Sequence, residues 1–153
     1  MKLGDNMKIG IASDHRGYDL KELLLKEFKR DDVELIDYGT DSEDPADYPD
    51  YAFKLAEDVR DNKLDFGITL CGSGIGMSMA CNKVKGVRCA RVKDVEDVIV
   101  TRNDNDANVI SFSGKSSLEL SLAIINRMID TPASTEERHV RRRNKIAEYE
   151  ANN

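Results

Sequence analysis

Short apolar runs alternate with amphipathic repeats along this chain. Lys8 to Ser13, Val33 to Tyr38, Asp65 to Leu70, Gly86 to Val92 and Asn108 to Ser113 each predict a strand. Between them, apolar residues recur at helical spacing: Leu20, Leu23, Leu24 and Phe28, then Ala52, Leu55, Ala56 and Val59, then Leu118, Leu122, Ile125 and Ile129. Met77 to Cys81 and Asp94 to Thr101 predict shorter helices, and Ser134 to Tyr149 a polar one. Asp41 to Asp50 reads as an acidic loop holding two prolines.

Strand–helix alternation implies a parallel sheet covered on both faces. The expected fold is therefore α/β. It is a single-domain, three-layer α/β/α sandwich with a five-stranded parallel Rossmann-like sheet and a C-terminal helical arm. Ligands of such sheets bind beyond the carboxyl ends of the strands. That rule singles out Asp14-His15, Tyr48, the segment Cys71 to Gly76, and the residues after the fifth strand.

Length and composition narrow the function. A chain of 153 residues can bury one sizeable core, and residues 7–150 are expected to form it. Residues 1–6 read as a short leader, with Met7 as an alternative start. Charged residues make up 34% of the chain, but the signs are mixed and the net charge is -6, which disfavours a nucleic-acid binder. The 3 cysteines are odd in number and show no C-x-x-C spacing, so neither a disulfide framework nor a metal site is expected. A reducing, cytoplasmic setting fits them. The apolar runs are too short to span a bilayer, and no apolar signal core follows Met1.

The richest segment is Cys71-Gly72-Ser73-Gly74-Ile75-Gly76. A thiol ends an apolar strand, and a glycine-rich turn feeds a helix. Bare backbone N–H groups in such a turn favour anions. A proton-accepting sulfur beside an anion cradle suits chemistry through an enolate-like intermediate. The alternative is a small buried hydrophobe on a turn built for tight packing. The spacing is neither the dinucleotide fingerprint nor a Walker loop, which disfavours a nucleotide-binding module.

The chain resembles the type B ribose-5-phosphate isomerases, within the group that also holds galactose-6-phosphate isomerase subunits. The resemblance is carried by Ser13 to Lys21 (SDHRGYDLK), Asp47 to Pro49 (DYP), Cys71 to Arg88, Arg102 to Phe112 and Glu137 to Arg143 (ERHVRRR). It implies interconversion of aldose and ketose phosphates through a cis-enediolate, without metal or cofactor. It implies Cys71 as general base, Ser73 as a catalytic contact, and the amides of Gly72, Gly74, Ile75 and Gly76 as an anion hole. Asp14, His15, Tyr48 and Asn105 become substrate contacts, and His15, Lys115, Arg138 and Arg142 phosphate contacts. Ser73 could equally serve to turn the chain, and Tyr48 to pack a loop. Arg138 and Arg142 share a helix face, as a phosphate site or a solvated surface would need. The resemblance places them in a partner subunit's pocket, and so implies a homodimer, or a tetramer built from two.

A glutamate just after the glycine run serves as base in one branch of the family, but Met77 stands there, and it is expected in the core. Two departures remain. Asp104 occupies the position where many relatives carry a histidine thought to open the sugar ring, and Lys115 stands where many carry arginine. Asp104 could instead cap its helix or pair with Arg102. The leading expectation is a ribose 5-phosphate isomerase. A hexose 6-phosphate isomerase and a catalytically weak sugar-phosphate binder are the alternatives.

Overall fold

A computed structural model describes residues 5–153. Of the expected leader, residues 1–4 lie outside it, and Asp5 and Asn6 carry no regular structure. The five apolar runs are strands: β1 (Met7–Ser13), β2 (Val33–Asp37), β3 (Phe66–Cys71), β4 (Cys89–Arg91) and β5 (Val109–Ser113). The helices are α1 (Tyr18–Glu27), α2 (Tyr48–Arg60), α3 (Ile75–Cys81), α4 (Val95–Val100), α5 (Leu118–Asp130) and α6 (Glu137–Ala151). All strand pairs are parallel, in the order β2-β1-β3-β5-β4. The chain moves outward to β2, then crosses β1 to build β3. The crevice between the carboxyl ends of β1 and β3 is thus the switch point where ligands are expected.

Alternation along the strands divides the core. Ile9, Ile11, Ile68, Leu70 and Phe112 pack with Leu20, Leu24, Ile124 and Ile125 on one face. Ala12, Cys71 and Val109 pack with Leu55, Val59 and Met77 on the other. Met77 is fully buried, as expected of a core residue. Cys71 ends β3 with its side chain turned toward α2 and α3.

Three local expectations need correction. On α1, Leu23 is partly exposed and Lys21 is wholly buried. The Lys21 ammonium lies 2.8 Å from Glu22 and 2.9 Å from Asp37 at the end of β2. Burial works against that charge, but the two carboxylates outweigh it and hold the group above its ordinary range. The acidic loop stops earlier than expected, because Pro49 belongs to the first turn of α2, where its missing N–H costs nothing. The fourth strand is shorter than expected: the N–H of Arg88 goes to the Asn108 side chain at 2.8 Å, so the ladder begins at Cys89.

The fourth helix also changes form. After α4 the chain runs through a π-turn, Thr101–Asn105. Buried Arg102 holds it, donating to Asp106 at 2.7 Å, to the Ala107 carbonyl at 2.8 Å and to the Thr131 carbonyl at 3.0 Å. Its guanidinium also lies over the Phe66 ring. Arg102 therefore pairs with Asp106, not with Asp104.

Candidate active site

At the switch point lies a cleft of about 450 Å³ whose walls include Asp14, His15, Tyr48, Cys71, Ser73 and Lys115. Its floor is the glycine turn. Gly74 has φ +81°, and a Cβ there would meet the Phe112 backbone at 2.8 Å. Only glycine combines that dihedral with that approach. The bend directs the Gly74 N–H to the Cys71 sulfur at 3.1 Å. Cys71 is 5% exposed. The turn thus aims an amide at a nearly buried sulfur.

The turn uses some of the expected anion donors itself. The Gly74 N–H serves Cys71, and the Ile75 N–H donates to Ser73 Oγ at 3.1 Å. The N–H groups of Gly72 and Gly76 have no intramolecular acceptor among the described residues. Ser73 thus turns the chain, as one reading had it, while its hydroxyl proton remains available. The Tyr48 ring covers Gly76, whose hypothetical Cβ would sit 2.8 Å from Cζ. Tyr48 forms the wall and Gly76 is small to admit it.

Asp14 is buried and its Oδ1 accepts the N–H groups of Arg16 at 2.9 Å and Gly17 at 3.2 Å. It therefore shapes the loop after β1 as well as lining the cleft. Nδ1 of His15 accepts the Ala46 N–H at 3.2 Å. That bond leaves the ring proton on Nε2. Sequence reading gave Arg16 no role, yet it also lines this cleft.

Asp104, Asn105, Arg138 and Arg142 do not line it. Asp104 and Asn105 lie in the π-turn that leads into the amino end of β5. Cys71 pairs with Ser113 at the opposite end of that strand. About 13 Å of strand separates the two ends. Asp104 instead meets α6: His139 Nε2 is 3.7 Å from its Oδ1, and Arg143 donates to its carbonyl at 3.4 Å. Asn103 donates to the same carboxylate at 2.8 Å. Arg138, exposed on α6, pairs with Glu136, and Arg142 is exposed with no carboxylate at ion-pair distance among the described residues. Asn105 borders a separate hollow with Tyr149. One chain thus carries two clusters of expected site residues, at opposite ends of the sheet. Sequence reading also passed over Arg143, which joins α6 to the π-turn. Its lone signal was membership of the arginine run.

The other cysteines lie elsewhere. Cys81 and Cys89 neighbour each other between α3 and β4; the contact with Cys81, together with burial, pushes the Cys89 thiol well up. The same contact lowers the Cys81 thiol, and neither cysteine lines the cleft. No group of three His, Cys, Asp or Glu among the described residues is arranged to hold a metal, and no helix among them is long and apolar enough to cross a membrane.

A sequence profile described as ribose/galactose isomerase matches residues 9–146. The chain belongs to this family. Family members with related sequences include ribose-5-phosphate isomerase B of Mycobacterium tuberculosis, 36% identical over 148 residues, covering 94% of this chain and 90% of the relative. Among solved structures of the family, the type B ribose 5-phosphate isomerase of Trypanosoma brucei superposes with a TM-score of 0.90 at 36% identity, covering 94% of this chain and 99% of that one. Ribose-5-phosphate isomerase B of Mycoplasma genitalium, solved with bound ribulose-5-phosphate, gives 0.89 at 34% identity, covering 97% and 99%. The family's five-stranded α/β sandwich is the fold described above.

Proposed function

We propose that the chain interconverts ribose 5-phosphate and ribulose 5-phosphate, with Cys71 as general base. The observation that carries this reading is the Gly74 N–H aimed at the Cys71 sulfur in the floor of the cleft. The thiolate takes the C2 proton of the open-chain aldose. The amides of Gly72 and Gly76 receive the charge that develops on oxygen, giving a cis-enediolate. A proton passes from O2 to O1 of the enediolate, and Cys71 returns its own proton to C1, leaving the ketose carbonyl at C2 and a hydroxyl at C1. The charge rests on backbone amides, so the step asks for no metal or cofactor. The Ser73 hydroxyl and the His15 Nε2–H donate to substrate oxygens, Asp14 and Tyr48 fix the sugar, and Lys115 draws the phosphate.

The site is shared between two copies of the chain. The cleft of one receives Asp104, Asn105, Arg138 and Arg142 of the other, a reading supported by the separation of the two clusters within one chain. Apolar side chains left open fit such a contact: Met79 is 63% exposed on α3 and Tyr149 71% exposed on α6, with Ile75, Val100 and Ile146 also open. The minimal unit is a homodimer, and two dimers could pair. Asp104 stands at the sugar ring, where a carboxylate can accept the anomeric hydroxyl proton but gives none to the ring oxygen.

An assay of the purified protein across ribose 5-phosphate, galactose 6-phosphate and allose 6-phosphate tests this reading. Conversion of ribose 5-phosphate in heavy water, with solvent deuterium entering the product, is expected. Faster turnover of a hexose phosphate would move the assignment to that sugar. Binding without turnover of any of the three would overturn the catalytic reading.

A further inference from the structure

Arg16 is held over the cleft with its charge unused. Its N–H donates to Asp14, and its carbonyl lies 2.5 Å from where a Cβ on Gly114 would be. The loop is therefore pinned between the ends of β1 and β5. The side chain crosses Gly72, whose hypothetical Cβ would stand 3.0 Å from Arg16 Cδ and 3.2 Å from Nη1. This sets the guanidinium beside the residue that follows Cys71, in the cleft shared with His15 and Lys115.

Other arginines show what an arginine here usually does. Arg30, Arg60 and Arg102 each sit within 3.0 Å of a carboxylate. Among the described residues Arg16 has no carboxylate at ion-pair distance, and its guanidinium makes no hydrogen bond with any of them. Asp14, which lines the same cleft, turns one oxygen to the loop amides instead. Five donors thus face an opening that also presents the Lys115 ammonium and the His15 ring. The arrangement lacks only an anion from outside.

We propose that Arg16 binds the phosphoryl group of the substrate and is a specificity residue of this site. The proposal rests on the sugar-phosphate reading above and deepens it. Lys115 neutralises charge as a point but cannot offer a planar fork, whereas a guanidinium can hold two phosphoryl oxygens at once. Arg16 supplies that fork from the same chain as Cys71. Each cleft then carries its own phosphate ligand before a partner's arginines arrive.

Calorimetric titration with inorganic phosphate at constant ionic strength tests this directly. The proteins are wild type, Arg16→Ala, Arg16→Lys and Lys115→Ala, each checked for unaltered thermal unfolding. Arg16→Ala should weaken phosphate about tenfold. Its KM for ribose 5-phosphate should rise by a similar factor, with the larger effect on KM than on kcat. Arg16→Lys should recover only part of the loss. Phosphate affinity and KM within twofold of wild type in Arg16→Ala would overturn the proposal, and so would a wild type that binds no phosphate. A lysine variant equal to wild type would overturn the fork. A wild type that binds phosphate through Arg16 yet isomerises no sugar phosphate would sink the functional reading and leave Arg16 standing.

Discussion

Cys71 sits where a strand ends, a helix layer begins and an amide points back at its sulfur. Replacing it removes the proposed base, while the cavity left by one small side chain is modest. Cys71→Ala is expected to lower turnover by about 10²–10⁴ and to abolish deuterium entry from heavy water, with phosphate affinity retained. Retention of most of the exchange would show that another group takes the proton. Asp104 poses a different problem. Opening a furanose needs a donor at the ring oxygen, and an ionised carboxylate has no proton to give. Its carboxylate meets Asn103 and His139, and Arg102 is engaged by Asp106, so Asp104→His leaves the Arg102–Asp106 pair intact. The variant is expected to speed net isomerisation equally in both directions, as the equilibrium constant demands. Solvent exchange into ribulose 5-phosphate, which has no furanose to open, should stay unchanged. A parallel rise in exchange would remove ring opening from this position.

The glycine turn and the end of β2 are where elements govern behaviour. Gly74→Ala forces a side chain into a left-handed backbone and against Phe112. A loss of about 1–3 kcal/mol in denaturant unfolding is expected, with a fall in turnover as the Gly74 N–H leaves the sulfur. Unchanged stability would mean that the turn relaxes at no cost. The end of β2 is tied to α1 by Lys21–Asp37 and to α2 by the Tyr38 hydroxyl, which donates to Asp58 at 2.6 Å. Burial and then the Asp58 carboxylate push Tyr38 up from 10.0 to about 12, and Lys21 is also raised. Both groups keep their protons longer in the folded chain than in the unfolded one. Their contribution is therefore complete below pH about 10 and is lost as pH rises through the folded values. Urea midpoints should hold steady to pH 10 and fall toward pH 12, less steeply in Tyr38→Phe. An identical slope in that variant would remove Tyr38 from the account. Elements were legible in the sequence where local pattern and packing agree, as at β3, whose apolar run stops at a cysteine and a glycine. They were not where distant partners decide. Lys21 is buried because Asp37, sixteen residues on, receives its charge, and the π-turn is held because Arg102 finds the Asp106 carboxylate and the carbonyls of Ala107 and Thr131.

At the scale of the whole molecule, the sheet order brings Asp14, His15, Tyr48 and Cys71 together and leaves Asp104 and α6 at the other end. The first grouping was readable, since the carboxyl ends of parallel strands share an edge. The second was not readable from pattern alone, because the π-turn precedes β5 and so opens at the strand's amino end. The divided arrangement can be tested with mixed dimers. Cys71→Ala and Arg142→Ala chains, each with little activity alone, should regain about a quarter of wild-type activity when subunits exchange freely, since one pocket of each mixed dimer is intact. No recovery after proven exchange would place Arg142 outside the partner's cleft. Under the shared-site proposal, a pocket assembled from two polypeptides has no meaning for a solitary one. Specific activity would then be a function of concentration, constant in a crowded solution and falling on dilution as pairs come apart, so that the chain's own abundance would act as a switch on its chemistry.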